Sequence, residues 1–148
     1  MKLYLVHHGD AVPSGVDPQR PLSAGGRLRV ERVAAEAAQR AIKPGVVWHS
    51  GKLRARQTAD AFWRACSPSA ELSATRGLQP TDPPQWMVDQ LVRETRDIML
   101  VGHMPHIERL LRLLLKGNTE GTAAFPAHGI VALEPIDRRW VERWRIEG

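Results

Sequence analysis

Three short apolar runs in this sequence each lead into a histidine, and segments with helical periodicity separate them. The runs and their following residues are Leu3–Val6 with His7-His8, Val46–Trp48 with His49, and Ile98–Val101 with Gly102-His103. Apolar strands that alternate with amphipathic helices are typical of a parallel sheet, because each crossover helix must cover a face of that sheet. We therefore predict an α/β fold, a three-layer α/β/α sandwich built on a mostly parallel sheet.

The segments between the runs carry helix signals of their own. Periodic apolar residues predict four helices. The first has its periodic residues from Val30 to Ala41, with Ser23 as N-cap and Lys43-Pro44-Gly45 as stop, and the second runs from Ala55 to Cys66 and is stopped by Ser67-Pro68. The third is opened by Pro83-Pro84 and capped by Thr81 or Asp82, and the fourth runs from Pro105 to Gly117-Asn118. Cys66 lies on the apolar face of the second helix and is therefore expected to be a core residue.

The remaining strands fall at one short segment and at the end of the chain. They are Glu71–Ala74, Ile130–Leu133 and Trp140–Ile146, the last two joined by a turn at Pro135–Arg138. The final strand alternates between apolar and polar residues, as an outer antiparallel strand does. No linker or repeat interrupts the chain, so we expect a single domain over residues 1–148 with an antiparallel edge.

Composition narrows the classes of function. Of the 148 residues, 43% are hydrophobic and 25% are charged, which is ordinary for a globular domain. The net charge of +5 is spread along the chain without a basic block among aromatic residues, so we expect no nucleic-acid partner. No apolar stretch reaches the roughly 18 residues that span a bilayer and no secretory layout is visible, so we expect no membrane partner and a cytoplasmic location.

Polar groups at the strand ends predict a shared pocket. In open parallel sheets, ligands bind beyond the carboxyl ends of the strands. There the chain places His7-His8, His49-Ser50 leading to Arg54, and His103. A guanidinium offers a planar fork of donors to phosphate oxygens, and an imidazole can donate to phosphate or attack phosphorus. The pattern therefore favours a phosphate site.

Four motifs resemble those of the histidine phosphatase superfamily, whose fold is phosphoglycerate mutase-like. In chain order they are Val6-His7-His8-Gly9-Asp10-Ala11, Arg20-Pro21-Leu22-Ser23-x-x-Gly26, Ser50 to Ala59 (SGKLRARQTA), and Val101-Gly102-His103-Met104-Pro105. The second and third motifs, with the short chain, look like the small phosphohistidine phosphatase branch.

The resemblance implies roles for individual residues. His8, directly before Gly9, corresponds to the nucleophile, Arg54 to the second phosphate arginine and His103 to the second pocket histidine. Position 7 departs from the pattern, because the superfamily has Arg where this chain has His7. Further phosphate-binding candidates at the site are His7, Gly9, Ser50 and Arg20. Ser50 is expected to donate to phosphate or cap the next helix, and Arg20 is expected to join the pocket or hold its loop.

The implied reaction is metal-independent and needs no cofactor. A phosphohistidine would form on His8 and be hydrolysed, with a phosphorylated protein or a small phosphate ester as substrate. Asp82 is the candidate general acid, with a simple N-cap as its alternative role. Loss of the bidentate arginine at position 7 predicts weak turnover. Because bound phosphate would favour charged His7, it also predicts an acid-shifted optimum.

Two other classes remain open. Imidazoles at His7, His8, His49 and His103 could form a metal site, although adjacent residues seldom point at one ion. A catalytically weakened phosphate-binding or signalling module of the same fold is the second alternative.

The remaining histidines are weaker candidates. His49 is expected to be packed and hydrogen-bonded more than to line the rim, and His106 to be exposed. His128 can reach the pocket only if the strand that follows it runs antiparallel.

Overall fold

The apolar runs pair side by side in one sheet, and helices cover both of its faces. The computed structural model describes residues 1–117 and 124–148. Within them the elements are β1 (Leu3–His7), α1 (Ala24–Gln39), β2 (Val46–His49), α2 (Leu53–Cys66), β3 (Glu71–Ala74), α3 (Pro84–Leu91), β4 (Ile98–Gly102), α4 (His106–Lys116), β5 (Ile130–Ile136) and β6 (Arg139–Ile146).

The sheet is mostly parallel with an antiparallel edge, as predicted. Its strand order is β3-β2-β4-β1-β5-β6. The first four strands in this order pair in parallel, whereas β5 runs antiparallel to β1 and β6 antiparallel to β5. Strand β4 therefore lies between β2 and β1, and the three strands that carry the histidines are consecutive in the sheet.

Strand β1 shows how the two cores form. Tyr4 and Val6 pack with residues of α1 and α2 on one face, and Leu3 and Leu5 pack with residues of α3 and α4 on the other. A strand buried on both faces has no polar side to alternate with, which is why β1 reads as a continuous apolar run. The three-layer prediction is confirmed.

The predicted helix caps and ends are only partly confirmed. Ser23 caps α1, accepting a hydrogen bond of 2.9 Å from the N–H of Gly26. The predicted cap of α3 is wrong: Pro83 occupies the cap position, and the Asp82 carboxylate accepts the N–H of Gln79 instead. Helix α1 ends at Gln39, before the predicted Ala41.

The chain also differs from prediction near its last hairpin. Strand β5 extends through Pro135, which pairs with Trp140, so the turn is confined to Asp137 and Arg138, both with positive φ. Gly117 ends α4 in a left-handed conformation, and the predicted partner in that stop, Asn118, lies outside the described residues. Among the described helices, none is both long and apolar enough to cross a membrane.

Candidate active site

The carboxyl ends of β1, β4 and β2 bring their polar residues together at one edge of the sheet. In the sheet, His7 of β1 pairs with Gly102 of β4, and Val101 of β4 pairs with His49 of β2. The residues that follow therefore converge. The ring centroids of His8 and His103 are 4.9 Å apart, and Ser50 Oγ lies 2.6 Å from His103 Nε2.

His8 is held in one tautomer by its own loop. Its Nδ1 lies 2.7 Å from the carbonyl oxygen of Gly9. Because a carbonyl only accepts, Nδ1 carries the proton and Nε2 keeps a lone pair. Burial lowers the pKa of His8 to about 4, with Arg54 lowering it further and the Gly9 bond opposing. At neutral pH the ring is therefore uncharged and presents a nucleophilic Nε2.

Gly9 joins the His8 loop closely to α1 and α2. A Cβ at this position would lie 2.4 Å from Val30 Cγ2, so only glycine allows this approach. The Gly9 N–H donates to Thr58 Oγ1 at 3.0 Å, and the Thr58 hydroxyl donates to the Arg54 carbonyl oxygen at 2.8 Å. One threonine thus couples the loop after His8 to the first turn of α2.

Arg54 supplies positive charge to the pocket. Its guanidinium lowers the pKa values of His7, His8 and His103, so it lies close to all three rings. Its buried Nε has no hydrogen-bond partner among the described residues. Buried donors in proteins are usually paired, so an unpaired one beside three imidazoles is suited to an anionic ligand.

Arg20 holds its loop, which is one of the two roles that the sequence left open. Its Nε donates to the carbonyl oxygen of Val12 at 3.1 Å, which holds the loop after β1. Its charge also lowers the pKa values of His8 and Arg54, so it contributes to the positive potential of the pocket.

His103 presents a second open donor. Ser50 Oγ accepts the N–H of Lys52 at 3.3 Å, which leaves its hydroxyl proton free to bond His103 Nε2. The proton of the neutral ring then sits on Nδ1, which is buried without a partner in the described part of the chain. Burial, with the neighbouring His8 and Arg54, lowers the pKa of His103 to about 3. The ring is therefore a neutral donor.

His7 is also neutral, which differs from the charged form expected with phosphate. Its Nδ1 accepts the backbone N–H of His128 at 2.8 Å, so the ring proton lies on Nε2. Burial, followed by the neighbouring His8, His128 and Arg54, lowers its pKa to about 3. A second proton on Nδ1 would face the His128 N–H donor head to head.

His128 enters the site because β5 is antiparallel, which was the condition stated for it. Its ring stacks on His7 at a centroid distance of 4.6 Å and an interplanar angle of 13°. Its Nδ1 lies 2.6 Å from the carbonyl oxygen of His8, so it donates there and keeps a lone pair on Nε2. The strand direction was the one signal that could have found it.

The histidine cluster differs from the metal set considered from the sequence. One ring nitrogen each of His7, His8 and His128 lies within 4.8 Å of the others, a spacing that an ion could use. However, the His7 lone pair already accepts the His128 N–H, so these three rings offer two free lone pairs. His49 is elsewhere: it is buried, and its Nδ1 accepts the N–H of Gly51, the packed role expected for it.

Asp82 and Gln79 lie on the loop before α3. The Gln79 amide donates to the Ser50 carbonyl oxygen at 2.7 Å, which fixes this loop to the end of β2. Asp82 exerts its charge on His106, raising the pKa of that ring against the larger effect of burial. The expectation that His106 is exposed is wrong, because it is 0% exposed. The general-acid role of Asp82 stays a prediction.

Comparison with known proteins gives the class of fold. No protein-family model and no curated protein matches this sequence. Solved structures do match over 97–99% of the chain. A protein histidine phosphatase SixA in complex with tungstate aligns with a TM-score of 0.85 at 20% identity, covering 99% of this chain and 97% of that one. A protein from Agrobacterium tumefaciens, assigned as phosphohistidine phosphatase SixA, aligns at 0.81 and 25% identity over the same shares.

A third match extends the likeness beyond the small branch. A phosphoserine phosphatase from Entamoeba histolytica in complex with 3-phosphoglyceric acid aligns at a TM-score of 0.74 and 14% identity, covering 99% of this chain and 97% of that one. The fold of this protein is therefore the phosphoglycerate mutase-like fold of the histidine phosphatase superfamily. Its likeness in fold to the small phosphohistidine phosphatase branch, which the motifs indicated, is confirmed.

Proposed function

We propose that this protein is a metal-independent phosphatase that hydrolyses phosphohistidine or a phosphomonoester through a phosphohistidine intermediate on His8. One observation carries the proposal. The hydrogen bond from Nδ1 to the Gly9 carbonyl leaves the Nε2 lone pair of His8 free. The ring lies beside the Arg54 guanidinium and the His103 ring, each of which has a buried donor without a partner among the described residues. A nucleophile next to open donors matches the needs of phosphoryl transfer.

The first step forms a P–N bond. The His8 Nε2 lone pair attacks phosphorus in line, and the bond from phosphorus to the leaving group breaks. An imidazole leaving group departs with the proton that it already carries, whereas an alkoxide takes its proton from the carboxyl group of Asp82. Arg54 and His103 donate to the equatorial oxygens, where charge is concentrated in such transition states. His7 Nε2–H provides a third donor, and Ser50 holds the His103 ring from behind.

The second step restores the enzyme. Water attacks phosphorus, the P–N bond to His8 breaks, and its electron pair returns to Nε2. One proton of the water is released and inorganic phosphate leaves. The Gly9 carbonyl stabilises the phosphorylated ring throughout, because Nδ1–H remains its donor. Two moderate barriers thus replace one high barrier.

The substrate is proposed to be a phosphorylated protein or a small phosphate ester. A protonated imidazole leaves far more readily than an alkoxide, so phosphohistidine places the least demand on Asp82. The solved structures of similar fold include proteins described as phosphohistidine phosphatases and a phosphoserine phosphatase, which supports both ligand classes.

A second function is favoured by one observation, the histidine at position 7. A charge-assisted hydrogen bond contributes about 1.5–3 kcal/mol, so exchange of arginine for a neutral ring corresponds to a loss of about ten- to a hundredfold. The chain could then act as a phosphate-binding or signalling module with weak or no turnover.

Turnover separates the two functions. We expect phosphate release from a phosphohistidine peptide, and a phosphorylated protein species in acid-quenched samples by intact-mass spectrometry. His8→Asn is the matched control, because its amide can still donate to the Gly9 carbonyl while lacking Nε2. It should fold and bind phosphate without release. Release that is undiminished in His8→Asn, or absent in the wild type, would refute the catalytic proposal.

A further inference from the structure

His7 and His128 form a stacked imidazole pair at the position where the motif resemblance calls for arginine. The two rings are nearly parallel, 13° apart, and His7 also lies 4.6 Å from the His8 ring by centroids. His7 is 8% exposed, and His128 is partly exposed. Two residues 121 positions apart in sequence thus occupy one side of the nucleophile.

The hydrogen bonds of the pair fix which nitrogen of the neutral His7 ring carries the proton. The His128 N–H occupies Nδ1 of His7, so neutral His7 carries its proton on Nε2. That proton can be donated to a phosphate oxygen without any charge on the ring. His7 therefore replaces one hydrogen bond of an arginine but not its charge.

His128 has the complementary arrangement. Its Nδ1–H donates to the His8 carbonyl oxygen, which leaves a lone pair on Nε2. Its backbone is left-handed, with φ of 55°. A non-glycine residue is strained in that region, and such strain is found preferentially at functional sites. A lone pair cannot face a phosphate oxygen favourably unless a proton lies between them.

We propose that His7 and His128 act as one phosphate-binding unit in place of the missing arginine: His7 donates from Nε2 as a neutral ring, and His128 Nε2 shares a proton with the bound phosphoryl group. The inference rests on the proposed phosphate site and adds to it a residue that the motifs do not contain. The shared proton supplies the positive charge that the arginine would have carried. It belongs to the complex, whether it arrives on the phosphate or on the ring.

The surrounding charges make this proton depend on the ligand. The groups around the cluster are His7 at the end of β1, His8 directly after that strand, His103 after β4, Arg54 on α2 and Arg20 in the loop after β1. Arg54 disfavours a positive charge on His7 and His8, and Arg20 also disfavours one on His8. A bound phosphoryl group reverses this balance, so proton uptake and phosphate binding are coupled.

The first test measures binding in the absence of turnover. The probe is phosphotyrosine, titrated calorimetrically into His8→Asn protein, so the result does not depend on the enzyme being active. A phosphomonoester has its second pKa near 6, and above it the shared proton must come from solvent. We expect the dissociation constant to rise as pH increases above about 7, approaching tenfold per pH unit. A flat profile from pH 6 to 8.5 would overturn the proposal.

Variants at position 128 separate the ring from its scaffold. His128→Asn keeps a donor for the His8 carbonyl and tolerates the left-handed backbone, but it lacks Nε2. In the same His8→Asn background it should bind phosphotyrosine roughly tenfold more weakly at pH 6.5 and lose the pH slope. Unchanged affinity and slope would show that His128 only supports the loop. His128→Ala, which also loses the donor, measures the structural part.

Variants at position 7 test whether that residue acts as a neutral donor. The amide of His7→Gln can reach the position of Nε2 without charge, whereas that of His7→Asn reaches only the position of Nδ1. We expect Gln to retain most of the affinity for phosphotyrosine and Asn to lose it. Equal losses in the two variants would contradict a neutral donor. With His7→Arg, subsequent replacement of His128 by Asn should cost less than threefold.

Ring nitrogen spectra give a readout that packing alone would not move. In the ligand-free wild type, long-range ¹H–¹⁵N correlations should show His7 protonated at Nε2 and His128 protonated at Nδ1. The opposite tautomer at either ring would overturn the assignment. If the wild type has no phosphatase activity but these binding and tautomer results hold, the proposed catalysis fails while the phosphate-binding unit stands.

Discussion

The buried imidazole of His106 provides a test of how this fold responds to acid. His106 begins α4, is fully buried, and has no hydrogen-bond partner for either ring nitrogen among the described residues. Burial lowers its pKa to about 4, Arg109 adds to this effect, and Asp82 opposes it. The folded state therefore requires a neutral ring, whereas the unfolded chain titrates with an ordinary pKa near 6.5.

The direction and the size of the pH effect on the free energy of unfolding follow from proton linkage. Because the folded pKa is lower, the unfolded chain takes up the proton first as pH falls. The stability associated with the neutral ring is complete above about pH 6.5 and is lost progressively towards pH 4. A pH of 5 lies about 1.5 units below the pKa of the ring in the unfolded chain, and each unit corresponds to about 1.4 kcal/mol. Protonation of this ring alone therefore lowers the free energy of unfolding by about 2 kcal/mol at pH 5.

The assay compares His106→Leu with wild type in urea at pH 7.5 and pH 5, followed by the fluorescence of the five tryptophans. The other buried histidines titrate in both proteins, so the difference between them isolates His106. The variant should lose about 2 kcal/mol less than wild type on going to pH 5. Leu110→Ala, at another fully buried position of α4, should lower stability equally at both pH values. An identical acid loss in wild type and His106→Leu would refute the burial argument.

Three further outcomes test the surroundings of His8. Thr58→Val removes the oxygen that accepts from Gly9 and donates to the Arg54 carbonyl, and we expect a loss of about 1–3 kcal/mol in urea unfolding together with lower kcat. If Asp82 is the general acid, Asp82→Asn should lower kcat on an alkyl phosphate about a hundredfold and change phosphohistidine hydrolysis little; equal effects on both substrates would contradict that role. Burial raises the pKa of Cys66 to about 11, so iodoacetamide at pH 8 should modify it in urea but not in the native protein, as mass spectrometry can show.

The fold could be predicted because its signals are local. Runs such as Leu3–Val6 are apolar without alternation since both faces of the inner strands are buried. The alternation in the last strand likewise indicated an edge. The sequence places His8, Arg54 and His103 at or just after strand ends, so they were expected to converge provided that the three strands are consecutive in the sheet, which they are.

The parts that could not be predicted depend on contacts distant in sequence. His128 reaches His8 across 120 residues, and only the antiparallel direction of β5 allows it. The exposure expected for His106 was wrong because a place in the first turn of a helix does not tell whether that turn is buried. The tautomers of His8 and His7 are set by two backbone groups, the Gly9 carbonyl and the His128 N–H, whose positions cannot be read from the sequence.

The charge balance of the pocket bears on which substrate it should prefer. His7, His8 and His103 all have pKa values well below neutrality, so at pH 7 these three rings contribute donors and a nucleophile but no charge. Relative to the arginine-containing motif, the side chains of the pocket carry one permanent positive charge fewer, so a dianionic ester is compensated only by taking up the proton proposed to be shared with His128. A phosphohistidine whose imidazole is protonated brings that charge with its own leaving group.

Selectivity should therefore favour phosphohistidine over a phosphoserine ester by more than leaving-group chemistry alone provides. The measurement is the ratio of kcat/KM for a phosphohistidine peptide to that for a phosphoserine peptide, in wild type and in His7→Arg. Leaving-group chemistry is the same in both proteins, so any change in the ratio reports the pocket charge. We expect the ratio to fall about tenfold in His7→Arg, because the ester gains most from the added guanidinium. A ratio that stays constant would show that the charge at position 7 does not set the choice of substrate.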